Sequence, residues 1–81
     1  MNTITIYSKD YCPYCKAAKS MLDERGLAYN EIDVTHDPKQ FAEMAARSRR
    51  KTVPQIFFGD DHIGGCDDLW RYLAGAERAA A

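Results

Sequence analysis

The stretch Thr3-Ile4-Thr5-Ile6-Tyr7-Ser8-Lys9-Asp10-Tyr11-Cys12-Pro13-Tyr14-Cys15 decides the fold. From Thr3 to Ser8, β-branched Ile4 and Ile6 alternate with threonine, which reads as a strand ending at Lys9-Asp10. Pro13 suits the first turn of a helix, where a missing N–H costs no hydrogen bond. Ala18, Met21 and Leu22 then recur at helical spacing until Gly26 stops the run. A strand therefore feeds a helix through a turn that carries two cysteines, and Cys12 falls at the helix start.

Outward from this unit, Ile32 and Val34 alternate within Tyr29–Val34 and predict a second strand, followed by turn and cap signals at Thr35-His36-Asp37-Pro38. Phe41, Met44 and Ala45 mark one face of a second helix, which ends near Arg49 because the residue before Pro54 must leave helical geometry. Ile56-Phe57-Phe58, Gly59-Asp60-Asp61 and His62-Ile63 suggest a short hairpin. The last helix starts around Cys66 to Asp68, with Leu69, Trp70 and Leu73 as its apolar stripe and Asp67 and Asp68 where a helix start favours negative charge. Gly75 weakens its end, and Ala76–Ala81 is expected to fray. The order is β-α-β-α-β-β-α, and a parallel pair joined by a helix needs a right-handed crossover, so the first helix packs on the sheet with its N-terminus at a strand end.

A Cys-x-x-Cys where a strand meets a helix has a chemical consequence. Unpaired helix N–H groups and the macrodipole stabilise a thiolate on the first cysteine. Lys9 and Lys16 push the same way. Two intervening residues let Cys15, one helical turn on, reach back to the Cys12 sulfur and close a disulfide. Cys12 would attack a substrate disulfide to form a mixed disulfide, which Cys15 then resolves. A zinc site would need about four ligands. Only Cys66, His36 and His62 remain for that role, with no second closely spaced pair. No metal is expected.

The 81 residues fit one domain, 1–81, with a single small core. Three cysteines, two of them close together, are unlike a secreted disulfide framework and fit a reducing, cytoplasmic compartment. No signal peptide is evident at Met1–Ile6, and no apolar run approaches the ~18–20 residues that cross a bilayer. Eleven basic residues against twelve acidic ones leave a net charge of -1, so no overall field recruits nucleic acid. Arg47, Arg49, Arg50 and Lys51 nonetheless cluster before Val53-Pro54, either as a solvated helix end or as an attractor of an anionic substrate.

Cys12-Pro13-Tyr14-Cys15, Thr52-Val53-Pro54 and Gly64-Gly65-Cys66-Asp67-Asp68, in that order, resemble the active site, the cis-proline loop and the glutathione-binding turn of dithiol glutaredoxins, in particular the compact bacterial type. The likeness spans nearly the whole chain. It implies a thioredoxin fold, a four-stranded mixed sheet flanked by three helices, with Pro54 cis beside Cys12. It implies glutathione as co-substrate, with no tightly bound cofactor. It also implies disulfide-containing or glutathionylated proteins as clients, and a monomer. Val53 would pair with the extended peptide next to Thr52 and Pro54. The Cys66 backbone and the Asp67 side chain would hold the γ-glutamyl end, assisted by Asp68, with Gly64 and Gly65 allowing close approach. Lys9 and Tyr14 would serve the glycine end and the disulfide region. One departure concerns the second-helix position where family members often carry a Gln, Arg or Lys for the glycine carboxylate. Here it falls on Phe41, and Lys39, Gln40 or the cluster near Arg49 could substitute. Two other functions share these motifs: a glutathione-assisted iron–sulfur cluster carrier, which Pro13 discourages, and a thioredoxin-like donor served directly by a reductase, against which the Gly64–Asp68 turn argues.

Overall fold

The computed structural model describes residues 3–80, with the side chains of 76–80 outside that description. Its elements run β1 (Ile4–Ser8), α1 (Pro13–Glu24), β2 (Asn30–Asp33), α2 (Pro38–Ser48), β3 (Gln55–Phe58), β4 (Asp61–Gly64) and α3 (Cys66–Ala80). This is the order expected from the periodicities. The strands form one four-stranded sheet in the order β2-β1-β3-β4. β1 runs parallel to β2 and antiparallel to β3, and β3 pairs antiparallel with β4. A mixed sheet with three helices of this order is the thioredoxin fold.

β1 is central, and both of its faces are covered. Ile4 and Ile6 point to one side, where Ala18 and Leu22 of α1, Ile56 of β3, and Leu69 and Leu73 of α3 complete a cluster. Tyr7 points to the other, where it packs with Val34, Met44 of α2 and Phe57. The alternation in Thr3–Ser8 thus serves two cores, one on each side of the sheet. Phe41 is a partly buried member of the second core, as its apolar character suggested.

Local chemistry sets the helix ends. Cys12 caps α1 and Pro13 opens it; Asp37 caps α2, its Oδ1 accepting the Gln40 N–H at 3.1 Å, ahead of Pro38. α2 closes on Arg49 in the left-handed region, φ 61°. α3 continues through Gly75 to Ala80, so Gly75 does not end the helix; the fraying expected of Ala76–Ala81 concerns residues outside the described side chains. Between β3 and β4 the pairing shifts at Ile56/Phe57, a bulge that the hairpin pattern did not reveal.

Candidate active site

Cys12 lies at the C-terminal edge of the sheet because β1 delivers the chain there and α1 begins at once. The residue is nearly buried, at 9% exposure, and its Sγ accepts the Cys15 N–H at 3.3 Å. A helix-start donor aimed at sulfur complements negative charge on it. The approach loop is tied in place by the Asp10 N–H, which donates at 3.0 Å to Thr35 Oγ1; Thr35 in turn is held by Asp33. Cys15 is fully buried, and burial, reinforced by its contact with the Cys12 side chain, pushes its thiol up to about 12. The pair is unequal: a sulfur at the sheet edge that accepts a helix-start N–H, and a fully buried thiol whose burial favours the protonated form.

The Val53–Pro54 peptide is cis. The Cys12 thiol lies 3.7 Å from the Val53 carbonyl oxygen, to which it donates across a separation of 41 residues. Gln55 holds this loop from within. Its Nε2 donates to the Thr52 carbonyl at 3.0 Å and to Thr52 Oγ1 at 3.2 Å, which leaves Oε1 to accept from His62 Nε2 at 2.7 Å. Burial, then the Arg50 charge, lowers the His62 ring below its ordinary value.

Beside this loop a groove of about 220 Å³ is lined by Tyr14, Arg50, Thr52, Val53, Pro54, Gln55, Gly65, Cys66, Asp67 and Asp68. Eight of the eleven sequence-derived site residues therefore share one concavity, and Cys12 adjoins it through Val53. Tyr14 is 67% exposed, leaving its ring open beside the groove. Lys9 is not in this groove. Its Nζ sits 5.3 Å from the centre of the Phe41 ring, on the far side of Cys12, in a second hollow with Val34 and Thr35. Arg50 and Gln55 are the lining residues that motif reading did not assign. Arg50 was legible only as part of a basic run, and Gln55 only as a strand residue.

The acids at α3 have separate environments. Asp68 Oδ2 accepts the Gly65 N–H at 3.0 Å and pairs with Arg50 Nη1 at 3.3 Å. The Gly65 bond first, and Arg50 with it, holds its carboxyl below the usual carboxylate range. Asp67 is exposed at the groove rim. Gly64 has φ +121°, a conformation that L side chains rarely adopt, and a Cβ there would also run into the Asp68 side chain. A Cβ on Gly65 would meet only the Pro54 carbonyl at 3.6 Å, an ordinary contact. Cys66 is half-buried, and burial raises its thiol above the usual value, with the charge of Asp67 adding to the rise.

The family model described as glutaredoxin matches residues 4–63. The chain is 46% identical over 70 residues to Glutaredoxin 3 of Escherichia coli K12, covering 86% of this chain and 84% of that protein. The solution structure of a glutaredoxin from Brucella melitensis superposes with a TM-score of 0.81 at 44% identity, over 99% of this chain and 87% of that one. A buckwheat glutaredoxin in complex with glutathione superposes with a TM-score of 0.82 at 31% identity, over 93% of this chain and 71% of that one.

Proposed function

The chain belongs to the glutaredoxin family of thiol–disulfide oxidoreductases, and from that premise we propose that it reduces protein disulfides and protein–glutathione mixed disulfides at the expense of glutathione. The observation that carries this reading is the groove joining the Cys12 edge to Thr52–Pro54 and Gly65–Asp68. A tripeptide lying along it would meet a backbone carbonyl at Val53 for strand-like pairing and an open carboxylate at Asp67 for its α-amino group. The start of α3 suits the adjacent α-carboxylate. The buckwheat relative's complex with glutathione supports the same assignment.

In this mechanism the Cys12 thiolate attacks one sulfur of the client disulfide, and the other sulfur leaves with the electron pair. Ionisation of Cys12 removes the proton it shares with the Val53 carbonyl, which frees that oxygen for the incoming peptide. Cys15 then attacks the Cys12 sulfur and expels the client thiolate, or a second glutathione resolves the intermediate instead. Two glutathione thiols restore the dithiol and depart as glutathione disulfide. Lys9, over Phe41, supplies a cation for the glycine carboxylate where the second helix presents an aromatic ring at that position, with Arg50 a further cation in the groove. The domain acts as a monomer in the cytoplasm, and no helix among the described residues is long and apolar enough to cross a membrane.

The test is turnover of a glutathione mixed disulfide coupled to glutathione reductase. Cys12→Ser is expected to lose activity, and Cys15→Ser to keep the glutathione-resolved route while losing reduction of protein disulfides. Near-wild-type turnover in Cys12→Ser overturns the assignment of the nucleophile. Turnover driven by thioredoxin reductase but not by glutathione overturns the choice of reductant.

A further inference from the structure

Cys15 is fully buried, yet resolution requires its sulfur to attack as a thiolate. With the thiol pushed up to about 12 by burial and by Cys12, only a minute fraction is ionised at neutral pH. Any fixed positive charge near that sulfur then acts directly on the resolving step.

Lys19 supplies such a charge. It follows Cys15 by four residues on α1, so the two side chains share one helix face. Its side chain is 26% exposed, and its Nζ is tied at 2.9 Å to Glu31 Oε2 on β2. The same oxygen accepts the Ser8 hydroxyl at 2.6 Å, and Ser8 is fully buried at the end of β1. A hydroxyl in the sheet interior is thus committed to orienting a carboxylate, and the carboxylate to orienting the ammonium. Ser8 and then Lys19 hold the Glu31 carboxyl below its usual range, while Glu31 raises the lysine, so both charges persist across neutral pH. The mechanism above makes no use of these three residues.

We propose that Lys19, anchored by Glu31 and Ser8, is a positioning residue for the resolving step, its ammonium stabilising the thiolate that develops on Cys15 as that sulfur attacks Cys12. The inference rests on Cys15 being the resolving thiol. In the step, the Cys15 S–H bond breaks and its proton passes to a solvent base. A bond forms between the Cys15 sulfur and Cys12 Sγ. The bond from Cys12 Sγ to the client sulfur breaks, and the client leaves as a thiolate with the electron pair. Cys15 is oxidised and the client sulfur is reduced; Lys19 neither gives nor takes a proton. The other groups bearing on this pair are Cys12 at the cap of α1, the Lys9 backbone just past β1, Tyr29 just before β2 and Asp33 on β2, the last two around Lys19 and Glu31. α3 adds apolar Leu69 and Leu73 to the core beneath α1. Of these groups Lys19 alone brings a full positive charge to Cys15.

The experiment follows, by stopped flow, the reaction of the reduced protein with dithiobis(nitrobenzoate). One coloured thiolate is released when Cys12 attacks the reagent, and another when Cys15 resolves the mixed disulfide. The Cys15→Ser protein identifies the resolving phase by its loss. Lys19→Met is expected to slow that phase about threefold at neutral pH and to move its pH dependence about half a unit higher, the change in thiolate fraction carried by half a unit. The Cys12 phase keeps its rate, and Lys19→Arg restores most of the resolving rate. A resolving phase in Lys19→Met with the wild-type rate and pH profile overturns the inference. Equal slowing of both phases also overturns it, since that marks general loosening of α1. Failure of the parent reading looks different: Cys15→Ser then retains the phase.

Discussion

Asp67 and Asp68 are neighbours in sequence whose carboxylates meet different partners. Asp68 reaches back to the Gly65 N–H, the position before α3, which is the acidic half of a capping box, and also meets Arg50. Asp67 stands exposed at the groove. Arg50 is 52% exposed, so solvent screens its pair and most of the stabilisation resides in the cap. Asp68→Asn is expected to cost about 1 kcal/mol at neutral pH, a typical value for such a hydrogen bond. The sign with pH follows from the lowered carboxyl. A depressed acid contributes stability above its unfolded value, near 3.9 for aspartate, and loses it as pH falls through the lower folded value. Urea midpoints of the two proteins should therefore differ at neutral pH and converge in strong acid. Convergence absent, or a difference that grows in acid, contradicts this account of Asp68.

Among the elements, α2 shows how a boundary can be legible while its geometry is not. Pro54 and the loss of apolar periodicity put the helix end near Arg49, and the helix ends at Ser48. The closing residue, however, adopts φ 61° without being glycine. Nothing in Arg47–Lys51 signals this, because a left-handed cap is ordinarily announced by Gly or Asn. An L side chain there costs about 1–2 kcal/mol, and glycine's greater freedom in the unfolded chain returns part of that. Arg49→Gly is thus expected to raise stability by roughly 0.5–1 kcal/mol, read as a higher urea midpoint with an unchanged slope. The hairpin carries the opposite lesson. Its turn was legible at Gly59-Asp60-Asp61, whereas the bulge beside Ile56 arises from strand pairing that no local signal encodes.

For the whole molecule, the sheet separates two small cores, and only one of them supports α1 with its cysteines. A chain of 81 residues has a net stability of roughly 4–12 kcal/mol at ~0.05–0.15 kcal/mol per residue. Leu22 is fully buried in the α1–α3 core. Leu22→Ala is therefore expected to cost about 2–5 kcal/mol, a large share of the total. Thermal unfolding of the reduced protein checks this. A loss below about 1 kcal/mol would mean that α3 and the sheet close over the cavity more completely than most cores do.

The chain by itself determined the elements, their order and the chemistry of the helix start, because alternation, helical spacing, Pro13, Gly26 and Pro54 act over a few residues. The spacing of Cys12 and Cys15 belongs to the same local class, and so does the glycine turn before α3. Tertiary structure alone decided which distant atoms meet. The order β2-β1-β3-β4 brings the Val53 carbonyl to Cys12, Arg50 to Asp68, and Ser8 and Glu31 to Lys19. It also sets Lys9 over Phe41, outside the groove that gathers Tyr14, Thr52–Pro54 and Gly65–Asp68. Such contacts depend on strand register and on helices packing against both faces at once, and those are properties of the assembled sheet.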